Sequence, residues 1–597
     1  MTAPRAGSSA STTSLDPRSW PDDEVDHILQ ASSAMRSLDS ASATYAHALI
    51  VGSTGRFAQY AGRKALEAGG SAADAALVTA FTQVALAHGG WVSYAGIMSV
   101  VHYDAATGKI TSLSGGFGTF KGETDPSSIP AAPTPSGRSA LVPGYFKAAE
   151  ELHRRHGKLA WADLLLPAIH VAEVGFVVGP ERMPIYDLKR DVVLRTPEGR
   201  EQFTFDGGYV DEDTRITQPQ LAGTLRRVAA EGADHIYRGA WAQRFVEIVQ
   251  REGGNVTIDD LNNYEAIWSQ PITAEFNGYT LHGVGVPDTG GAALAESLQI
   301  VELADLGDIT SEGESLHRLL SIMRTATQFT GLPPAMRTTR SHAEKLWKEI
   351  QNAGGPVGPG VYSSGSHSDY VVSVDGDGNV VAMCHSINTS MWGSTGIFVD
   401  GISIPDSACF QQQPLTLVTP GDHLPHPMNP AIFTRDGVPV LASSSIGSGL
   451  METTLQCLVT TLRDGRSVAE SAAQPLIHNL DFISGDSVTS AIEDAEEDAL
   501  ASGISRMQRF MQEELEKGTP QEELYGRFMA TMPQVLEDGF DEDLVQDVRD
   551  RGIDVVRKPI DDPTLPRGYW VGVWIDPVTG HKTGARTPYC TGLVEGI

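Results

Sequence analysis

The chain has 597 residues with 44 Lys and Arg against 75 Asp and Glu, a net charge of −31 at pH 7. That charge repels phosphate backbones and anionic lipid, and with no basic patch visible it excludes nucleic acid and a charged membrane surface as partners. Hydrophobic residues at 41%, charged residues at 20% and 62 glycines describe a globular protein with many tight turns, while Cys384, Cys409, Cys457 and Cys590 lack CxxC spacing, which gives no zinc signature and fits a reducing compartment.

Residues 1–20, MTAPRAGSSASTTSLDPRSW, are small and polar and lack the apolar core of a secretory signal. A flexible segment to residue 40 and a cytoplasmic protein are expected. No run approaches the roughly 18 apolar residues that cross a bilayer. AQYAGRKALEAGGSAADAALVTAFTQVALA predicts two helices broken at Gly69-Gly70, with Ser71 as N-cap and Asp74 completing a capping box. The second helix is apolar nearly all round and must be buried on most sides. MSVVHYDAATGKITSL reads as strand, turn, strand.

The stretch from Leu141 to Val178 reads as helical, and its His153 and His156 have metal-capable spacing. Arg154 and Arg155 between them, with no carboxylate-rich partner, predict an exposed helix face instead. Two more helical regions, TLRRVAAEGADHIYRGAWAQRFVEIVQREGG and GGAALAESLQIVELADLG, flank a strand at YTLHGVGVP. NAGGPVGPG at 352–360 is a Gly/Pro loop. SHSDYVVSVDGDGNVVAM then predicts a hairpin around DGDG and places Ser368 two residues before YVVSV. Further on come a strand at VPVLASSS, a Gly/Ser turn, the helix METTLQCLVTTLRDG, a strongly acidic helical insertion at about 490–550, and a closing hairpin.

No GxxxxGK[ST], HExxH, GxSxG or strand-linked GxGxxG motif is present. The order of EAGGSAADAA, LVPGYFKAAEELHRRHGKLAWADLLLPAIHVAEVGF, PDTGGAAL, SHSDYVVSVDGDGNVVAMCHSINTSMWGSTGI and IGSG, from about Ala46 to the end, resembles the γ-glutamyltransferase family of N-terminal-nucleophile hydrolases. The resemblance implies an α+β fold, a four-layer αββα sandwich. It also implies a precursor cut just before a Thr that becomes the nucleophile. Here that position is Ser368, preceded by His367, so that 41–367 and 368–597 become large and small subunits of one precursor. The Ser368 hydroxyl would attack the His367 carbonyl and free an α-amino group. With a reference pKa of about 7.7–8.0, that amine can serve as general base for its own hydroxyl.

Carried over from the family, Asn388 and Ser386 support the nucleophile, and the backbone N–H groups of Gly447-Ser448 form the oxyanion hole. At the substrate end the chain departs from the pattern. Gly116 stands where the family has an Arg for the donor carboxylate, His426-Pro427 replaces a serine pair, and only Asp406 could match the acid for the donor amine. Losing a bidentate Arg contact argues against glutathione. What the resemblance then implies is a small-molecule hydrolase without cofactor or metal, in which a higher oligomer is possible. Its substrate class would be that of the branch cleaving a C–C bond beside a keto group in alkylproline biosynthesis for lincosamide, hormaomycin and pyrrolobenzodiazepine antibiotics. The alternatives are a γ-glutamyl amide hydrolase or transferase with an altered pocket, and an unprocessed, non-catalytic family member.

Overall fold

The computed structural model describes residues 14–326, 332–357, 368–410, 412–480, 510–519, 524, 528, 531–562 and 565–597. Fourteen strands build its two large sheets: β1 Ala41–Tyr45, β2 Leu49–Gly52, β3 Ile97–Asp104, β4 Lys109–Gly115, β5 Ile267–Ser269, β6 Ile272–Phe276, β7 Tyr279–Gly283, β8 Ser368–Val374, β9 Val380–Ser386, β10 Ala431–Arg435, β11 Val438–Gly447, β12 Gly568–Ile575, β13 Lys582–Arg586 and β14 Val594–Gly596. One sheet runs β14-β2-β8-β9-β3-β4-β5, the other β1-β13-β12-β11-β10-β7-β6. Both are antiparallel throughout. Each mixes strands from before and after Ser368.

Alternation along the strands separates the layers. Leu49, Val51, Tyr370 and Val372 from the first sheet meet Ile432, Ala442, Val571 and Val573 from the second in one apolar layer. Their neighbours Ile50, Val371, Val381 and Met383 point the other way, into helices that include α1 Asp22–Ala31, α2 Arg56–Glu67, α3 Ala72–Leu86 and α4 Tyr145–His156. The second sheet covers its outer face with α5 Gly290–Ala304, α6 Gly313–Ala326, α7 Arg340–Ala353 and α8 Leu450–Leu458. The result is the expected α+β sandwich of four layers, αββα. Because both faces of β8 are covered, YVVSV is a continuous buried run rather than an alternating one.

The α3 helix lies beneath β8 and is buried at every residue. Its capping box forms as predicted: Ser71 Oγ accepts from Asp74 N–H at 3.1 Å and Asp74 Oδ2 accepts from Ser71 N–H at 2.9 Å. Asp74 Oδ2 also accepts the backbone N–H of Lys158 at 2.8 Å and of Leu159 at 3.2 Å, tying the end of α4 to the start of α3.

Three expectations need correction. From Ser14 onward the start of the chain is packed rather than flexible: Trp20 sits against Phe57 and Tyr60 with its indole N–H on Ser14 O, and Val25 and Leu29 bury one face of α1. Turns spaced i,i+4 outweigh the polar composition there. Within the acidic stretch, residues 481–509 lie outside the described residues, while Gln534–Glu537 is a buried strand between Ile477–Leu480 and Val555–Lys558, not a helix. His153 and His156 are half-buried, not on an open face: His153 Nε2 meets Leu159 O at 2.8 Å, and His156 stacks on His102 at 3.7 Å. The closing hairpin β12–β13 forms as expected, and one more strand, β14, follows it and pairs with β2.

Replacing Ser71 by Ala should cost about 1 kcal/mol of stability. Asp74→Ala should cost more, because three N–H groups then lose their acceptor in a buried setting. Paired urea melts of the two variants check the order.

Candidate active site

β8 begins at Ser368 and pairs in register with β9, so that Ser368 stands opposite Ser386. The Ser368 hydroxyl donates to Ser386 Oγ at 2.8 Å, and Ser386 Oγ also accepts the Asn388 backbone N–H at 2.8 Å. That second bond turns the chain sharply: Asn388 has φ of 53°, in the left-handed region that Asn tolerates better than most side chains. The turn swings the Asn388 amide to within 3.4 Å of His426 Nδ1. His426 Nε2 accepts the Phe117 backbone N–H at 3.1 Å.

These contacts set the protonation of His426. Burial pushes its pKa down to about 3, so the ring is neutral. With Nε2 accepting, the single proton sits on Nδ1, and the group of Asn388 that faces it must be the carbonyl oxygen rather than the NH2. An unbroken line of hydrogen bonds thus joins Ser368 through Ser386 and Asn388 to His426 and the backbone at Phe117.

Gly116 lies at the far end of that line. A Cβ on Gly116 would stand 2.8 Å from His426 Nε2 and 3.3 Å from Leu424 O, so the imidazole occupies the space into which any side chain at 116 would grow. Gly116 O accepts from the Tyr264 hydroxyl at 2.5 Å, which fixes the same wall from behind.

The Gly447-Ser448 turn closes β11. Gly447 has φ of 89°, and a Cβ there would meet Arg567 O at 2.5 Å, so only glycine fits. Ser445, two residues earlier, places its carbonyl 3.9 Å from Cys384 Sγ, and Cys384 is two residues before Ser386. The turn and Ser386 therefore lie at the same end of the sandwich. Ser448 O accepts from Asn479 Nδ2 at 2.9 Å, and Gly449 N–H donates to Arg567 O at 3.0 Å.

Asp406 lies against the loop that follows Asn388. Its carboxylate accepts from Thr389 Oγ1 at 2.6 Å, from Ser394 N–H at 2.8 Å and from the Ser394 hydroxyl, so it braces the loop directly after Asn388. His367 lies outside the described residues. Two carboxyls that sequence reasoning passed over are buried close by. Asp288 takes hydroxyl bonds from Ser99 and Ser114, while Thr289 N–H donates to His426 O at 2.7 Å. Asp369 follows the candidate nucleophile directly. Asp288 stood in the PDTGG stretch, and Asp369 was visible as a charge at the mouth of an apolar strand. Among the described residues no His, Cys, Asp and Glu cluster could hold a metal, and all four cysteines are free.

The fold is that of the N-terminal-nucleophile hydrolases. Residues 58–522 match the family model described as gamma-glutamyltranspeptidase. The chain belongs to that family and is a hydrolase of that type. It is 28% identical over 458 residues to the glutathione hydrolase proenzyme of Pseudomonas aeruginosa, covering 70% of this chain and 80% of the relative. Acylase ACY 1 proenzyme of Pseudomonas sp. strain SE83 is 25% identical over 460 residues, covering 70% and 80%. In fold the chain is similar to cephalosporin acylase from Bacillus halodurans, with a TM-score of 0.71 at 20% identity over 93% of this chain and 96% of that one. It is also similar to the structure of LmbA2991HD, with a TM-score of 0.70 at 19% identity over 92% and 97%. Among the described residues no helix is long and apolar enough to cross a membrane.

Burial raises the Asp288 carboxyl to about 7. A carboxyl whose folded pKa is raised binds its proton more tightly in the native state, so its contribution is full at low pH and is lost as pH rises through about 7. Asp288→Asn should therefore flatten the fall of Tm between about pH 4 and pH 7, as read by calorimetry on both proteins.

Proposed function

We propose that the chain is cut between His367 and Ser368, and that the freed Ser368 hydrolyses a C–C bond beside a keto group in a small keto-acid. The observation that carries the reading is the joint geometry of Gly116 and His426. The hydrogen-bonded line from Ser368 through Ser386 and Asn388 ends in a neutral imidazole, with no side chain at 116 to bind a donor carboxylate. Position 116 itself offers a glutamyl head no guanidinium.

In the reaction the Ser368 α-amine takes the hydroxyl proton as Oγ attacks the keto carbon. The backbone N–H groups of Gly447 and Ser448 receive the oxyanion, an interaction able to contribute several kcal/mol. Collapse of the adduct breaks the C–C bond, and the carbon leaving group takes the proton back from the ammonium. Water then attacks the acyl ester with the amine again as base, releasing an acid and restoring Ser368. Ser386 holds the hydroxyl on the attack side, and Asn388 joins it to the His426 wall.

The named similarity to glutathione hydrolases favours a second reading, γ-glutamyl amide hydrolysis or transfer with a rearranged pocket. Three measurements separate the readings. The intact denatured mass should show two polypeptides, the smaller starting at Ser368; one uncut chain in both the wild type and a Ser368→Thr variant would refute the proposal. A pyrroline keto-acid should lose its acyl fragment with the wild type and not with Ser368→Ala, whereas turnover of a γ-glutamyl anilide instead would select the second reading. Gly116→Arg should lower keto-acid turnover at least tenfold, about 1.4 kcal/mol in the barrier, because the new side chain displaces His426.

A further inference from the structure

Behind the nucleophile strand, on the side away from the site, a polar network is sealed among the helices. Asp369 Oδ1 accepts from the Ser53 hydroxyl at 2.5 Å and from the Thr54 hydroxyl at 2.8 Å, and Oδ2 accepts from the Trp91 indole N–H at 3.1 Å. Ser53 Oγ accepts the Tyr370 backbone N–H at 3.0 Å, so its one hydrogen is committed to Asp369. Gln83 Nε2 lies 3.4 Å from the same oxygen, while Gln83 Oε1 meets Nε2 of His385 at 2.9 Å, and His385 is the cross-strand partner of Asp369. Asp369, Ser53, Gln83 and His385 are completely buried.

A strand as apolar as YVVSV gains nothing in packing from a carboxylate at its mouth, and burying one without a cation is expensive. All three partners of Asp369 are donors, so the arrangement is built to receive an anion. On its own side it meets His385 on β9, held neutral by burial with its pKa near 3, and Tyr145 on α4, raised by burial; across the strand, in the layer between the sheets, lie Tyr370, Cys384 and Cys590, each raised by burial above its usual range. Beyond Trp91 stands Arg182, whose guanidinium lies over the indole ring at 5.6 Å. Among the described residues no cation forms an ion pair with the carboxylate, and burial lifts its pKa to about 7.

We propose that Asp369 is a positioning residue for the Ser368 amine. Its carboxylate, tied to Ser53, Thr54 and Trp91, pins the first residues of β8 in register once Ser368 is a chain end, and it supplies the negative charge that the neighbouring ammonium meets. Strand ends without such an anchor fray. The inference rests on the cut at Ser368 proposed above. Charge pairing works both ways: the ammonium favours ionised Asp369, and ionised Asp369 favours the ammonium, which moves the free-base form of the amine to higher pH.

The test uses the full-length protein and its Asp369→Asn variant, with keto-acid turnover, or release from the γ-glutamyl anilide if that is the substrate, followed from pH 5 to pH 9. Asn cannot replace the carboxylate, because Trp91 N–H and the Ser53 hydroxyl both need an acceptor. In the variant the acid limb of kcat/KM should move down by about one pH unit. At its own optimum kcat should fall about tenfold or more with KM within about twofold. A purely structural role would lower Tm and leave the limb in place, and an unmoved limb with kcat within twofold overturns the inference. Should Asp369→Asn stay insoluble or uncut, Trp91→Phe removes one donor, favours the protonated carboxyl and should shift the limb the same way; an unchanged profile there overturns it too. A wild-type chain that stays whole sinks both proposals, while a cut wild type whose variants keep its profile sinks this one alone.

Discussion

The structure depends on one register. Pairing of β8 with β9 sets Ser368 opposite Ser386, and a slip of one residue would turn every side chain of β8 to the opposite face. Ser368 would then point into the helices and Asp369 into the site. Two anchors on opposite faces of the strand oppose that slip: the Ser368–Ser386 bond on the sandwich side and the Asp369 bonds to Ser53, Thr54 and Trp91 on the helix side. The second anchor acts from the loop after β2 and the segment before β3, so three separate stretches of chain agree on where the strand begins.

From that starting point the rest of the wall follows by short steps. The left-handed turn at Asn388 exists because Ser386 Oγ captures its N–H, and the turn carries the amide to His426. His426 can stand where it does because position 116 has no side chain. Gly116 and His426 are thus one feature rather than two, since neither could change to a residue of different reach without moving the other. Asp406 serves the same wall indirectly by bracing the loop from Thr389 to Ser394.

Much of this was legible in the residues. The capping box at Ser71, the all-round apolar α3, the hairpin around DGDG and the final β12–β13 hairpin are local patterns whose chemistry does not depend on the rest of the fold. The Ser368, Ser386 and Asn388 grouping was legible through the family's motif order. What escaped was set by distant contacts: Trp20 packing on Phe57 and Tyr60, the strand Gln534–Glu537 hidden in an acidic run, and the donors converging on Asp369 from positions more than 270 residues away. The bracing role of Asp406 escaped for a related reason, because a lone Asp in a loop does not reveal which groups its oxygens meet.

The threading of the two sheets has a consequence for how the protein is lost. In the first sheet β8, β9 and β14 alternate with strands from the front of the chain, and in the second β10 to β13 lie between β1 and β7. A chain opened before Ser368 would consist of two polypeptides, each woven through both sheets, that can part only by unzipping the whole sandwich. Unfolding would then convert a one-molecule equilibrium into a meeting of two, neither with a complete core to fold around. Lifetime at temperature, governed by the rate of opening, becomes the meaningful measure of endurance for such a molecule, more than any free energy of folding.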